Sequence, residues 1–316
     1  MRILCFLILF VAGQVAAAAE QPATVAMQAI KVGPHSYYVQ GQPGAVSAEN
    51  QGFMSNAGFV VGDDGVLVFD ALGTRPLARR LVEVIRGVTD KPIKLVVVSH
   101  YHADHYYGLQ VFKELGAKIW AHERGADVAR SEGAAARLQQ RRQALQPWIG
   151  EDFRIVPADV WLAGDTDFTF GGLHLMLRHV GPAHSAEDMA MLVVEDGVLY
   201  AGDLVFAGRV PYVGEADSRL WLDSLDKLTR LRPEVLVPGH GRYSDKPAED
   251  LKLTRDYLAY LRQQMGRAVA DFVPFEEAYA KTDWSEFDFL PAFPDANRGN
   301  AYNTYLLMER ELLEKR

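Results

Sequence analysis

His100-Tyr101-His102-Ala103-Asp104-His105 puts four side chains able to bind a metal into six residues, directly after the apolar run Leu95–Val98. Imidazole and carboxylate without thiolate suit zinc, with manganese or iron as further options. A segment leaving a strand for a loop can aim His100 and His102 at one ion and Asp104 and His105 at another. The expectation is two adjacent metals.

Three more candidates sit beside glycines: His184 in Gly181-Pro182-Ala183-His184-Ser185, Asp203 in Tyr200-Ala201-Gly202-Asp203, and His240 in Pro238-Gly239-His240-Gly241. Glycine lets the backbone turn sharply and approach an ion closely, and the preceding apolar runs supply a rigid edge. Taken singly, each reads as a turn former or a satisfied polar residue. Taken in order, they complete two ligand sets with a bridge: His100, His102 and His184 on one ion, Asp104, His105 and His240 on the other, Asp203 between. Asp70, after Val66–Phe69, reads on its own as a turn residue at a strand end.

The elements that must position these residues follow from periodicity. Short apolar runs at Ile30–Val32, Ser36–Val39, Ala57–Val61 and Val66–Phe69 open the chain as a β-meander, with Asp63-Asp64-Gly65 as a hairpin signal. Thr74 caps a helix with Pro76 in its first turn and Leu77, Leu81, Val84, Ile85 and Val88 at helical spacing. A strand over Lys94–Val98, a short helix through Leu109, Phe112 and Leu115, and a strand over Lys118–Ala121 come next. Residues 123–147 read as a helical insertion, a lid or edge helix whose arginines mostly face solvent. The second half repeats the scheme: strands over Thr166–Phe170, Leu173–Val180, Met189–Val194 and Val198–Ala201, a helix over Leu220–Leu231, and a strand over Val235–Val237. Two β-rich halves, each ending in α/β structure, predict an α/β fold: an αββα four-layer sandwich over residues 27–246. A C-terminal helical extension over residues 247–316 follows, with helices at Ala248–Ala270 and Ala301–Glu314 around an aromatic, acidic connector, Trp284–Phe293.

At 316 residues and 49% hydrophobic, the chain can bury a large core. A net charge of -8 with interspersed signs argues against nucleic acid and for a small-molecule substrate. Residues 1–19 have the basic start, apolar middle and small-residue end of a signal peptide, too short in its apolar part to span a bilayer. The expected location is periplasmic or secreted, with no membrane anchor after cleavage. Cys5 is the single cysteine and falls in that leader, so the mature metal site must be built from His, Asp and Glu.

The ordered motifs His-x-His-x-Asp-His, His, Asp and His resemble those of the metallo-β-lactamase superfamily over roughly Ile30 to Ser244, and the resemblance implies the same αββα sandwich. It implies that Asp70 is an acid steadying the histidine loop. It also implies an enzyme: a hydrolase with two zinc ions, iron or manganese being possible, that share a hydroxide which attacks a thioester, lactone, ester or lactam carbonyl. Asp104 would pass a proton to the leaving group. Asn56–Val61, His100–Gly108 and Asn300–Tyr305 look most like the exported SoxH-like group, some of whose members are called quinoprotein relay system zinc metallohydrolases.

Departures from other members narrow the expectation. β-Lactamases usually carry Cys or Ser near position 203, whereas Asp203 follows the pattern of glyoxalase II, lactonases and alkylsulfatases. The C-terminal segment is aromatic and acidic, unlike the basic one of glyoxalase II. Competing readings are a β-lactamase, a mononuclear iron oxygenase of sulfur compounds using His100, His102, His184 and Asp203, and a non-catalytic periplasmic binding protein. Packing is favoured over oxyanion donation for most of Tyr101, Tyr106 and Tyr107. Asn300 and Asn303 read as either substrate contacts or caps, and His35, His122, His174 and His179 receive no role.

Overall fold

The computed structural model describes residues 20–214 and 216–314; the leader expected over residues 1–19, Cys5 included, lies outside the described residues. The first sheet runs in chain order: β1 (Ile30–Lys31), β2 (Ser36–Val39), β3 (Ala57–Val61), β4 (Val66–Phe69), β5 (Ile93–Val97), β6 (Lys118–His122) and β7 (Val160–Leu162). Pairing is antiparallel through β4 and parallel from β4 to β7. Parallel neighbours need a crossover. Here α1 (Arg75–Arg86) provides the first, α2 (Ala103–Tyr106) with α3 (Leu109–Glu114) the second, and α4 (Gly125–Arg130) with α5 (Glu132–Ala144) the third.

The second sheet holds β8 (Thr166–Phe170), β9 (Leu173–His179), β10 (Met189–Val193), β11 (Val198–Phe206) and β12 (Val235–His240), antiparallel except for the β11–β12 pair. The crossover into β12 is α6 (Ser218–Arg230), and α7 (Pro247–Ala270), α8 (Phe275–Lys281) and α9 (Phe293–Glu314) complete the chain.

Three apolar cores separate four layers. Val66, Val68, Val96 and Val98 face out from the first sheet to meet Leu77, Leu81 and Ile85 of α1. Their neighbours Leu67, Phe69, Leu95 and Val97 face in, against Leu175, Leu177, Met189, Met191 and Tyr200 of the second sheet. On the far side Ala190, Leu192, Leu199 and Ala201 pack under Trp221, Leu225, Leu258, Leu261 and Ala301. Strands buried on both faces carry continuous rather than alternating apolar runs, which is why β4, β5 and β11 read as they do. Local signals agree with this packing: Thr74, extended at φ -150, accepts the Leu77 amide at 3.3 Å to start α1, as expected.

Several elements differ from the expected ones. β11 continues past Ala201 to Phe206 through register shifts at Gly202, so Asp203 lies in the strand rather than beyond it. The insertion is two helices broken at Ser131, which caps α5 by accepting the Ala134 amide. β7 and α8 were absent from the sequence expectation, and α9 begins at Phe293 rather than Ala301. Among the described residues no helix is long and apolar enough to cross a membrane.

Candidate metal centre

Every candidate ligand sits where a strand of the sandwich ends or bends. His100 follows β5, and His102 is the extended residue before α2, whose single turn holds Asp104 and His105. His184 lies between β9 and β10, Asp203 on β11, and His240 at the last position of β12. All are buried except His102, which is half-buried.

The seven side chains form two groups, His100, His102, His184 and Asp203 in one and Asp104, His105 and His240 in the other, with the donor atoms of each within 4.8 Å of one another. Asp203 faces both. Its Oδ1 is 3.1 Å from His105 Nε2 and 3.3 Å from His240 Nε2, while its Oδ2 is 3.4 Å from His184 Nε2 and 3.9 Å from His100 Nε2. Asp104 Oδ2 lies 3.5 Å from His105 Nε2 and 3.3 Å from His240 Nε2. In the other group, His102 Nδ1 and His184 Nε2 are 2.8 Å apart.

The outward ring nitrogens of four of the five histidines are occupied by protein. His105 Nδ1 meets Asp70 Oδ2 at 2.8 Å, His100 Nδ1 meets Ser99 Oγ at 2.9 Å, His184 Nδ1 meets the Tyr212 carbonyl at 3.0 Å, and His240 Nδ1 meets the Met54 carbonyl at 2.7 Å. These partners hold the outer nitrogens and turn Nε2 of each ring inward. Inside, His100 Nε2, His105 Nε2 and Asp203 Oδ1 are buried with no hydrogen-bond partner. Buried polar atoms are rarely orphaned, and a convergent all-N/O set left this way fits metal ions.

Charge separates the two groups. Burial opposes ionisation of Asp104 and Asp203, yet the surrounding histidines hold both well below the usual carboxylate range. Burial likewise opposes protonation of His105 and His240, but the two aspartates push both up. In the first group, burial pushes His100, His102 and His184 down. A carboxylate-rich pocket of this kind exchanges protons for metal.

The glycines beside the ligands are required by space. A Cβ on Gly239 would fall on the Asp203 carboxylate, and one on Gly202, at φ +52, would meet Ser99 Cβ at 2.7 Å. Asp70, at φ 67, accepts from Ser99 N at 2.7 Å and from Ser99 Oγ at 2.8 Å besides meeting His105. It thus ties the start of the histidine loop to its end.

A family model described as the metallo-beta-lactamase superfamily matches residues 50–240, which takes in all seven side chains. The chain belongs to the metallo-β-lactamase superfamily. Among its relatives, the linear primary-alkylsulfatase of Pseudomonas sp. (strain ATCC 19151) is 25% identical over 240 residues, covering 65% of this chain and 45% of that protein. A metallo-beta-lactamase type 2 of Bacillus sp. (strain 170) is 23% identical over 58% of this chain and 65% of its own length. In structure, a stereoselective inverting sec-alkylsulfatase from Pseudomonas sp. superimposes with TM-score 0.70 at 20% identity, over 89% of this chain and 50% of that one. A metallo-beta-lactamase from Pontibacter korlensis gives 0.59 at 21%, over 74% and 99%. The chain therefore spans about half the length of the alkylsulfatases it matches.

Around the centre of this superfamily member all three tyrosines pack, where the sequence favoured packing for most of them. Tyr101, Tyr106 and Tyr107 are buried, with ring centroids 4.6 and 4.9 Å apart in succession and Phe153 4.8 Å beyond. Burial pushes all three phenols up. Asn300 is a clamp rather than a cap: it accepts from Val213 N at 2.8 Å and donates to the Pro211 carbonyl at 2.7 Å and to Tyr257 Oη at 2.9 Å. It thereby grips both sides of Tyr212, whose carbonyl orients His184. Asn56 and Ser99 also shape the centre, the charges of Arg137 and Arg209 reach it, and all four were missed as site residues. Asn56 Nδ2 donates to the Pro238 and Gly241 carbonyls at 2.7 and 2.9 Å, closing the turn that carries His240. Only Ser99, adjacent to His100, had a local signal.

Proposed function

We propose that the chain is an exported metal-dependent hydrolase that uses two divalent ions, zinc first among them, on a small-molecule ester, thioester, lactone or lactam. The observation that carries the reading is Asp203, one carboxylate whose two oxygens face two separate histidine groups. His100, His102 and His184 would hold one ion, Asp104, His105 and His240 the other, with Asp203 shared. Such a pair supplies Lewis acidity and a water acidic enough to lose its proton near neutral pH. Asp104, with one oxygen turned to His105 and His240, keeps the other to carry a proton to the leaving atom. Asp70 holds His105 in the tautomer that presents Nε2. Export rests on the pattern of the first 19 residues.

The likeness to alkylsulfatases supports a second substrate class, sulfate esters. The test is zinc-loaded protein against phenyl acetate, a thioester, a γ-lactone, a β-lactam and an alkyl sulfate. Turnover of at least one, abolished by chelation and restored by zinc, is expected. No turnover across the panel, or one iron per chain with oxygen consumption, overturns the hydrolase.

A further inference from the structure

His102 differs from the other candidate histidines. The other four are aimed by an acceptor on the outer edge of the ring, whereas among the described residues His102 has none: its ring hydrogen-bonds only to His184, 2.8 Å from Nδ1 to Nε2, with the rings of His100 and His184 each 4.7 Å away between centroids. It is also the one half-buried histidine of the five, so packing holds it least.

Its backbone is held instead. Glu187 Oε1 accepts the amide of Tyr101, the residue between His100 and His102, at 3.0 Å, and Met189 N donates to the Ser99 carbonyl at 2.9 Å. The chain is thus gripped on both sides of His100. Glu187 belongs to, and Met189 directly follows, the segment 180–188 that carries His184 between β9 and β10. That segment is tied to itself: Asp188 accepts from Ser185 N at 2.6 Å and Ser185 Oγ at 2.7 Å, while Val180 N and Ala183 N donate to the Asp188 and Ser185 carbonyls at 3.0 and 2.9 Å. A movement at Glu187 is therefore passed to His184.

The fold alone gives no reason for a carboxylate at this position. Glu187 is 2% exposed and forms no ion pair among the described residues, and its Oε2 is buried with no hydrogen-bond partner. Burying a carboxylate with one oxygen bare costs stability, so a fold with no use for it would be better served by an apolar residue. What the carboxylate does make is the join between the chain segments that supply His100, His102 and His184, one from each sheet.

We propose that Glu187 is a positioning residue for the group of His100, His102 and His184, setting His102 opposite His184 through the Tyr101 amide. This role rests on the metal reading above, and it depends on the reach of the acceptor rather than on its charge. Glutamine keeps an acceptor at the same reach; aspartate keeps the charge but withdraws it by one methylene, about 1.5 Å.

Zinc affinity by chelator competition, the visible spectrum of the cobalt(II)-loaded protein and amide hydrogen exchange at Tyr101 are measured for wild type, Glu187→Ala, Glu187→Asp and Glu187→Gln. Glu187→Ala and Glu187→Asp should weaken one metal site about 10–100-fold, as loss of an outer partner typically does, alter the cobalt spectrum and speed exchange at Tyr101. Glu187→Gln should match the wild type in all three, and the weakened site should be the one that His102→Ala abolishes. Unaltered affinity and spectrum in Glu187→Ala, or a Glu187→Asp that behaves as wild type while Glu187→Gln does not, overturns the proposal. If the wild type binds no metal, the metal reading fails, and exchange at Tyr101 still decides the join: faster in Glu187→Ala, it stands; equal to wild type, it falls.

Discussion

Four of the inward-facing imidazoles are aimed by an acceptor on their outer edge, and the one charged acceptor is Asp70. Its two oxygens serve three groups, Ser99 N, Ser99 Oγ and His105 Nδ1. Asparagine tolerates the positive φ of this position but offers a single acceptor oxygen, so it cannot satisfy all three. Asp70→Asn should therefore weaken one metal site about 10–100-fold, as loss of such an outer partner typically does, in a chelator competition. Unchanged affinity at both sites would leave Asp70 a turn residue only. The ligand types were legible in the sequence because they cluster and sit beside glycine. The role of Asp70 was legible through family likeness alone, since its partners lie 29 and 35 residues away. Arg209 and Arg137 carried no signal, because an arginine drawn out of solvent wholly or in part looks like a surface one until its neighbours are known.

At the level of elements, apolar runs revealed the central strands because both faces of β4, β5, β10 and β11 are buried. They failed where burial is partial or propensity is weak. β7 is a three-residue edge strand with Val160 exposed, and α9 opens on Phe293-Pro294-Asp295-Ala296-Asn297-Arg298-Gly299-Asn300, which mixes turn formers into a helix start. Gly202-Asp203 likewise resembles a turn, which hid the second half of β11. The opening of α9 matters because it carries Asn300, the clamp on the segment that orients His184. Asn300→Ala would strand Val213 N and the Pro211 carbonyl inside the protein, leaving Tyr257 Oη its bond to Asn297 Oδ1 at 2.8 Å. We expect a loss of about 3 kcal/mol in urea denaturation, from unmade buried hydrogen bonds, together with weaker metal binding by the group containing His184. Lower stability with unaltered metal affinity would restrict the clamp to a structural role.

At the scale of the molecule, the centre joins the two sheets: the histidine loop comes from the first, and His184, Asp203 and His240 from the second. A second contact between the sheets is the stack of His122 at the end of β6 on His179 at the end of β9, with centroids 3.6 Å apart. Burial, the His179 ring and Arg124 push His122 down to about 4 from its ordinary value of 6.5. The unfolded chain therefore takes up a proton that the folded one refuses. The stability contributed by neutral His122 is full above pH 6.5 and is lost as pH falls from there through about 4. His122→Phe keeps a ring at the stack without the titration, and its denaturation midpoint should vary less with pH across that window than the wild type's; identical pH profiles would remove His122 as the cause. Whether two ions share Asp203 is read from metal content per chain after zinc loading and dialysis, in wild type and in Asp203→Ala. The wild type should hold two zinc ions and the variant one or none, with activity down by orders of magnitude. One ion in the wild type, or two with near-normal turnover in Asp203→Ala, would contradict it.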